Sequence, residues 1–136
     1  LKESNIDLTI QKVDHAANLD IGRRGEKQVS IINWYADIID ADNFFYSILY
    51  GDSSKAFSTN YYNKEFDAMC DKARTIVDVD EKSELYKKIE HKVTREDFML
   101  VPLYNPVFYY LVSDRVDGAV MMQTSLYRFT DADIVK

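Results

Sequence analysis

Apolar and polar positions alternate from Ile6 to Val13, where Ile6, Leu8, Ile10 and Val13 are interleaved with Asp7, Thr9 and Gln11. A period of two predicts a half-buried strand. Asp14 then offers a carboxylate to cap a short helix through Ala16, Ala17, Leu19 and Ile21, ending near Gly22 or Gly25. Gln28 to Trp34 carries Val29, Ile31 and Ile32, a short apolar run that reads as a buried strand. An acidic turn follows, Asp37-Ile38-Ile39-Asp40-Ala41-Asp42-Asn43, and beyond it Phe44, Phe45, Ile48 and Leu49 fall at helical spacing. Gly51 to Thr59 reads as a polar loop.

The middle of the chain predicts a helical hairpin. Phe66, Met69, Cys70, Ala73, Ile76 and Val77 form one apolar stripe, and Leu85, Ile89 and Val93 form a second. Asp78 and Glu81 have the spacing of a capping box at the start of the second helix, with Lys82, Lys87 and Lys88 facing solvent. So short a link folds two helices back on each other. Phe98 to Leu103 reads as a buried strand that Pro102 confines to an edge or a bend, and Val107 to Val112 is a further apolar run. Arg115 to Gly118 is a turn, and strand signals recur around Leu126 to Phe129. Strands alternating with helices predict an α/β domain.

Charge narrows the partners. The net charge of the 136 residues is −6, and no Lys/Arg run supplies the basic face that nucleic acid requires. An acidic chain is also repelled by an anionic membrane surface, so membrane contact needs an anchor outside it. Cys70 is the single cysteine, which excludes an internal disulfide and a cysteine metal cluster. No secretory signal is read at Leu1-Lys2-Glu3, and because such segments are removed this says little about location.

Candidate chemistry is sparse. His15 and His91 are the only histidines, neither lies in a catalytic motif, and no nucleophile–base pattern is present, so no enzyme activity and no catalytic residue are expected. Asp37, Asp40, Asp42 and Asn43 make an oxygen-rich turn without the order of a calcium loop. Capping of the next helix by Asp40 or Asp42 is the expected role, with no metal and no cofactor. Trp34 and Asp37 close a predicted strand, where ligand crevices of open α/β sheets form. A carboxylate beside an indole suits a cationic group, although a core tryptophan and an ordinary turn aspartate fit the same residues.

The order of the motifs points further. Trp34-Tyr35-Ala36-Asp37 with Asp40-Ala41-Asp42-Asn43-Phe44-Phe45 resembles the W-x-A-D…D-x-D-N-F-F signature of peptide-type solute-binding proteins of ABC importers. Tyr61-Tyr62-Asn63-Lys64-Glu65-Phe66-Asp67, Glu84-Leu85-Tyr86-Lys87-Lys88 and Val101-Pro102-Leu103-Tyr104 resemble later motifs of that family. So do Tyr109-Tyr110-Leu111-Val112-Ser113, Arg115-Val116 and Gly118, in the same sequence. Asn33 stands where Gly is frequent, Ile38-Ile39 where an aromatic residue and Pro often stand, and Lys64 in place of Pro.

That resemblance implies the C-terminal lobe of a two-lobed type II periplasmic-binding-protein fold, a mixed sheet flanked by helices. Residues 1–107 correspond to part of the second ligand-binding lobe, and 108–136 to a return segment that crosses to the first. It implies an extracytoplasmic carrier, periplasmic or held at the cell surface as a lipoprotein, that captures peptides by lobe closure and delivers them to ABC permease subunits. Asp37 is then the partner of the peptide α-amino group and Trp34 a wall of the site. The missing N-terminal lobe of the same protein becomes a partner, and the Ile38-Ile39 departure leaves open a nickel chelate, haem or an oligosaccharide as the solute.

Overall fold

The computed structural model describes residues 2–122, 124 and 126–135; Leu1 of the opening motif and Lys136 of the tail lie outside them. In chain order its helices are α1 (His15–Arg23), α2 (Asp42–Leu49), α3 (Gly51–Ala56), α4 (Lys64–Thr75) and α5 (Val79–His91). A single π turn over Lys92–Glu96 ends the helical part. Short strands follow: β1 (Val116–Asp117), β2 (Val120–Met121), β3 (Tyr127–Arg128) and β4 (Asp133–Ile134). The chain is mixed α and β, with antiparallel strands in separate pairs. β1 pairs with β4 through Val116 opposite Ile134, and β2 with β3 through Met121 opposite Tyr127.

Helix starts follow the local chemistry. Asp14 accepts the Ala17 N–H at 2.8 Å and Asp78 accepts the Glu81 N–H at 2.9 Å. Asn63 takes the N–H groups of Glu65 and Phe66 at 3.0 and 3.2 Å. Each bond satisfies a donor that no preceding turn can reach. The hairpin of α4 and α5 then buries Phe66, Cys70 and Ala73 against Tyr86, Ile89 and Val93. Ile48 and Leu49 of α2, with Tyr61, complete this core. Its far end is closed by polar groups: Asp97 accepts from the Tyr61 hydroxyl and, at 2.9 Å, from the Asn63 amide. Lys92, itself buried, reaches Glu65 at 2.8 Å.

The polar loop expected over Gly51 to Thr59 contains α3 instead. Its order comes from hydrogen bonds that leave no apolar period to read: Gly51 N–H to Asp67 at 3.1 Å, the Ser54 hydroxyl to the Gly51 carbonyl at 2.7 Å, and the Thr59 hydroxyl to the Ile48 carbonyl at 2.6 Å. The larger correction concerns the expected strands. Residues 6–13, 28–34 and 98–103 are irregular, as is the apolar run 107–112, and Ile10, Val29, Ile31, Tyr109 and Leu111 are exposed. A strand is stabilised by its neighbour's ladder and cross-strand side chains, and among the described residues these segments have none. Val77, expected on the hairpin stripe, lies beyond the end of α4 and is 94% exposed.

One close contact ties α1 to this body. The Asn60 amide donates to the Gly22 carbonyl at 2.8 Å, and a Cβ at Gly22 would fall on the Ser58 side chain. Gly22→Ala gains up to about 1 kcal/mol of helix propensity and loses about 1–3 kcal/mol to overpacking. The clash sits near the backbone of a buried loop residue, so the net effect should be a loss. Hydrogen exchange of α1 amides checks it, and unchanged protection would contradict it.

Candidate functional site

The turn expected to bear the site is fixed to the helices by its own polar residues. Asp40 lies 2.7 Å from the Lys82 ammonium of α5 and accepts the Asp42 N–H at 2.9 Å. Asp42 accepts from the Tyr86 hydroxyl at 3.2 Å and pairs with Arg74 at 3.5 Å. Arg74 also covers the Tyr46 ring at 4.0 Å, within cation–π range. Capping by Asp40 is thus realised from one residue before the formal cap position, Ala41, which has no side-chain bond of its own. Lys82 is not a solvent-facing lysine as its helical position suggests, because its partner comes from a turn far back in the chain.

Asn43 completes the turn. Its side-chain oxygen accepts the Trp34 indole N–H at 3.0 Å and the Asp37 backbone N–H at 3.1 Å. The indole stands edge-on to Phe57 at 4.8 Å, and Tyr35 meets Phe108 at 5.4 Å. Beside these rings lies an open depression of about 550 Å³, lined by Trp34, Tyr35, Ala36, Ile39, Asp40, Ala41 and Phe44, with Asn105, Pro106, Phe108 and Thr124 opposite. The Thr124 hydroxyl is buried with no hydrogen-bond partner among the described residues. Asp37 is exposed and does not line the depression, although Ala36 before it and Ile39 two residues after it do.

Charge distinguishes the carboxylates of this turn. Burial alone would raise the Asp40 carboxyl, but the Lys82 ammonium and the Asp42 N–H outweigh it and hold the group below its ordinary value. Asp42 is occupied by Arg74 and Tyr86. Asp37 is different: among the described residues its carboxylate has no hydrogen-bond or ion-pair partner, so its charge is available to a ligand. For Asp40, a folded-state value below the unfolded one contributes stability above about pH 3.9, and that contribution is lost as pH falls through the lower folded value. Lys82→Met should therefore raise the Asp40 carboxyl and flatten this acid dependence. Carboxyl NMR titration reads the change, and an unmoved Asp40 would refute the pairing.

Other chemistry finds little support in the geometry. Burial first, then the charges of Asp42, Asp67 and Asp71, push the Cys70 thiol up to about 12, so a reactive thiolate is disfavoured. His15 opens α1, far in sequence from the turn, and His91 lies 3.2 Å from Glu96 on an exposed face. Among the described residues no group of His, Cys, Asp and Glu side chains converges as a metal site requires, and no helix is long and apolar enough to cross a membrane. Asn43, Phe57, Asn105, Phe108 and Thr124 were not expected at the site. Only Asn43 carried a sequence signal, as the end of the D-x-D-N pattern.

No family model matches the chain. It is similar to di/tripeptide-binding protein 4 of Pseudomonas aeruginosa (strain UCBPP-PA14), at 26% identity over 136 residues, covering 98% of the chain and 25% of that protein. It is also similar to a dipeptide-binding protein of Pseudomonas aeruginosa PAO1, at 33% identity over 98 residues, covering 69% of the chain and 18% of the relative. The chain thus spans about a quarter or less of the length of these curated relatives. Both are named as binding proteins. The aligned stretch of the first includes the turn from Trp34 to Asn43, since it takes in nearly the whole chain.

Proposed function

We propose that the chain is the C-terminal part of a peptide-type solute-binding protein of an ABC importer, and that Asp37 pairs with the α-amino group of a captured peptide. The observation that carries this reading is the Asp37 carboxylate, unpaired among the described residues and close in sequence to an indole and the lining of an aromatic depression, in a turn whose other carboxylates are all engaged. An ammonium leaving water needs such a partner, because an isolated buried charge is costly. The names of the relatives support a peptide as the solute. With Ile39 on the depression wall, a nickel chelate, haem or an oligosaccharide is the alternative solute class for the same carrier.

The exposed apolar segments 6–13, 28–34 and 98–112 support a longer parent protein, whose remaining strands and opposite lobe would cover them. In this reading residues 1–107 belong to the second lobe of a two-lobed fold and 108–136 return toward the first. Closure of the lobes over the turn excludes water from the ammonium–carboxylate pair, and the closed form is the one delivered to the permease. The protein works outside the cytoplasm, in the periplasm or anchored as a lipoprotein. Calorimetry on the full-length polypeptide with trialanine and N-acetyl-trialanine tests the reading: acetylation should abolish most of the affinity, and equal affinities would reject amine pairing.

A further inference from the structure

We propose that Asn43 is the positioning residue of this site, the group that sets the Asp37 backbone and the Trp34 indole in one frame; the proposal rests on the peptide-binding reading above. Among the described residues, the two bonds to the Asn43 oxygen, at 3.0 and 3.1 Å, are the only hydrogen bonds made by residues 28–37. The stretch has no helix or strand of its own. Everything that orients Trp34 and Asp37 by hydrogen bonding therefore passes through one side-chain oxygen.

The chemistry of that oxygen is specific. Both partners are N–H donors, so the acceptor end of the amide must face them, and its two lone pairs are both used. An amide supplies this acceptor without charge in a turn that already holds Asp37, Asp40 and Asp42. The position of Asn43 is itself fixed, because it lies in the first turn of α2, one residue from Asp42 and its bonds to Arg74 and Tyr86. A rigid helix hairpin thereby reaches a binding segment that has no other hydrogen-bonded tether among the described residues, as tight orientation of a charged group requires.

The test uses the full-length polypeptide and a pair of variants. Asn43→Leu removes the acceptor at similar volume, and Asn43→Asp keeps it. The first readout is the affinity ratio of trialanine to N-acetyl-trialanine by calorimetry. The second is the indole N–H signal of Trp34, assigned with Trp34→Phe. Asn43→Leu should shrink the ratio by about tenfold, the scale on which groups that orient a binding residue act, and shift the indole signal toward that of a water-exposed ring. Asn43→Asp, which keeps the acceptor but adds a charge beside Asp37, should restore the indole signal. Retention of ratio and signal in Asn43→Leu would overturn the proposal, as would an Asn43→Asp variant whose indole signal is as displaced as that of Asn43→Leu, which marks a packing role. If the unmodified protein ignores acetylation, the amine reading fails by itself, and the indole signal then decides whether Asn43 holds the segment.

Discussion

Asp37→Ala should weaken trialanine binding to the full-length protein by about 30-fold or more while leaving N-acetyl-trialanine where it was. The magnitude follows from truncating one member of a desolvated charge pair, which costs about 2–5 kcal/mol, with about 1.4 kcal/mol for each factor of ten. Asp37 is a clean probe because its carboxylate makes no hydrogen bond or ion pair among the described residues. The bond that places it in the turn comes from its backbone N–H, which alanine retains. Folding stability should therefore move by no more than about 0.5 kcal/mol, as for surface substitutions in general. Asp37→Asn should behave like alanine in affinity, since it keeps the shape and removes the charge. A variant that binds trialanine as tightly as the unmodified protein would reduce Asp37 to an ordinary turn residue.

Why Asp37 rather than Asp40 or Asp42 answers to the ligand is a question of non-local geometry. In the sequence these carboxylates are alike, each a few residues from the next. The fold separates them by giving Asp40 to Lys82 and Asp42 to Arg74 and Tyr86. None of those partners is within the turn, and no rule of spacing brings them there. The resemblance to a motif singled out Trp34 and Asp37 as a pair. The reason they form a unit, a shared acceptor on Asn43, becomes visible only once α2 is placed on the hairpin.

The same division runs through the fold. Asp14, Asn63 and Asp78 act on N–H groups two or three residues away, so these helix starts are local events that a sequence pattern expresses fully. The stripes of Phe66, Cys70 and Ala73 and of Ile89 and Val93 are equally local, and they form the buried core. A strand is not local. The alternation from Ile6 to Val13 states which side chains need cover but cannot supply the neighbour that covers them. α3 escapes the pattern for the opposite reason, because Ser54 and Asp67 hold it without an apolar stripe.

Phe66→Ala should be the most damaging single truncation of the helical body, costing about 3–5 kcal/mol of stability. Phe66 is fully buried between the hairpin helices, with the Tyr61 ring edge-on at 5.1 Å. Neither neighbour can move in to fill the space. Asn63 and Asp97 hold the Tyr61 side of the cluster, and Ile89 and Val93 are anchored in α5 and the turn after it. Val77→Ala is the control: its sequence position suggests the same stripe, yet its exposure predicts a change within about 0.5 kcal/mol. Urea unfolding followed by helical circular dichroism separates the two. The consequence extends to binding, because α2 packs its Ile48 and Leu49 into the core that Phe66 fills and carries Asn43 at its other end. A loosened hairpin should free that helix and, with it, the only hydrogen-bonded tether of the Trp34–Asp37 segment among the described residues. A Phe66→Ala protein that stays within about 1 kcal/mol of the parent, or that loses stability without broadening the Trp34 indole signal, would break this link between core and site.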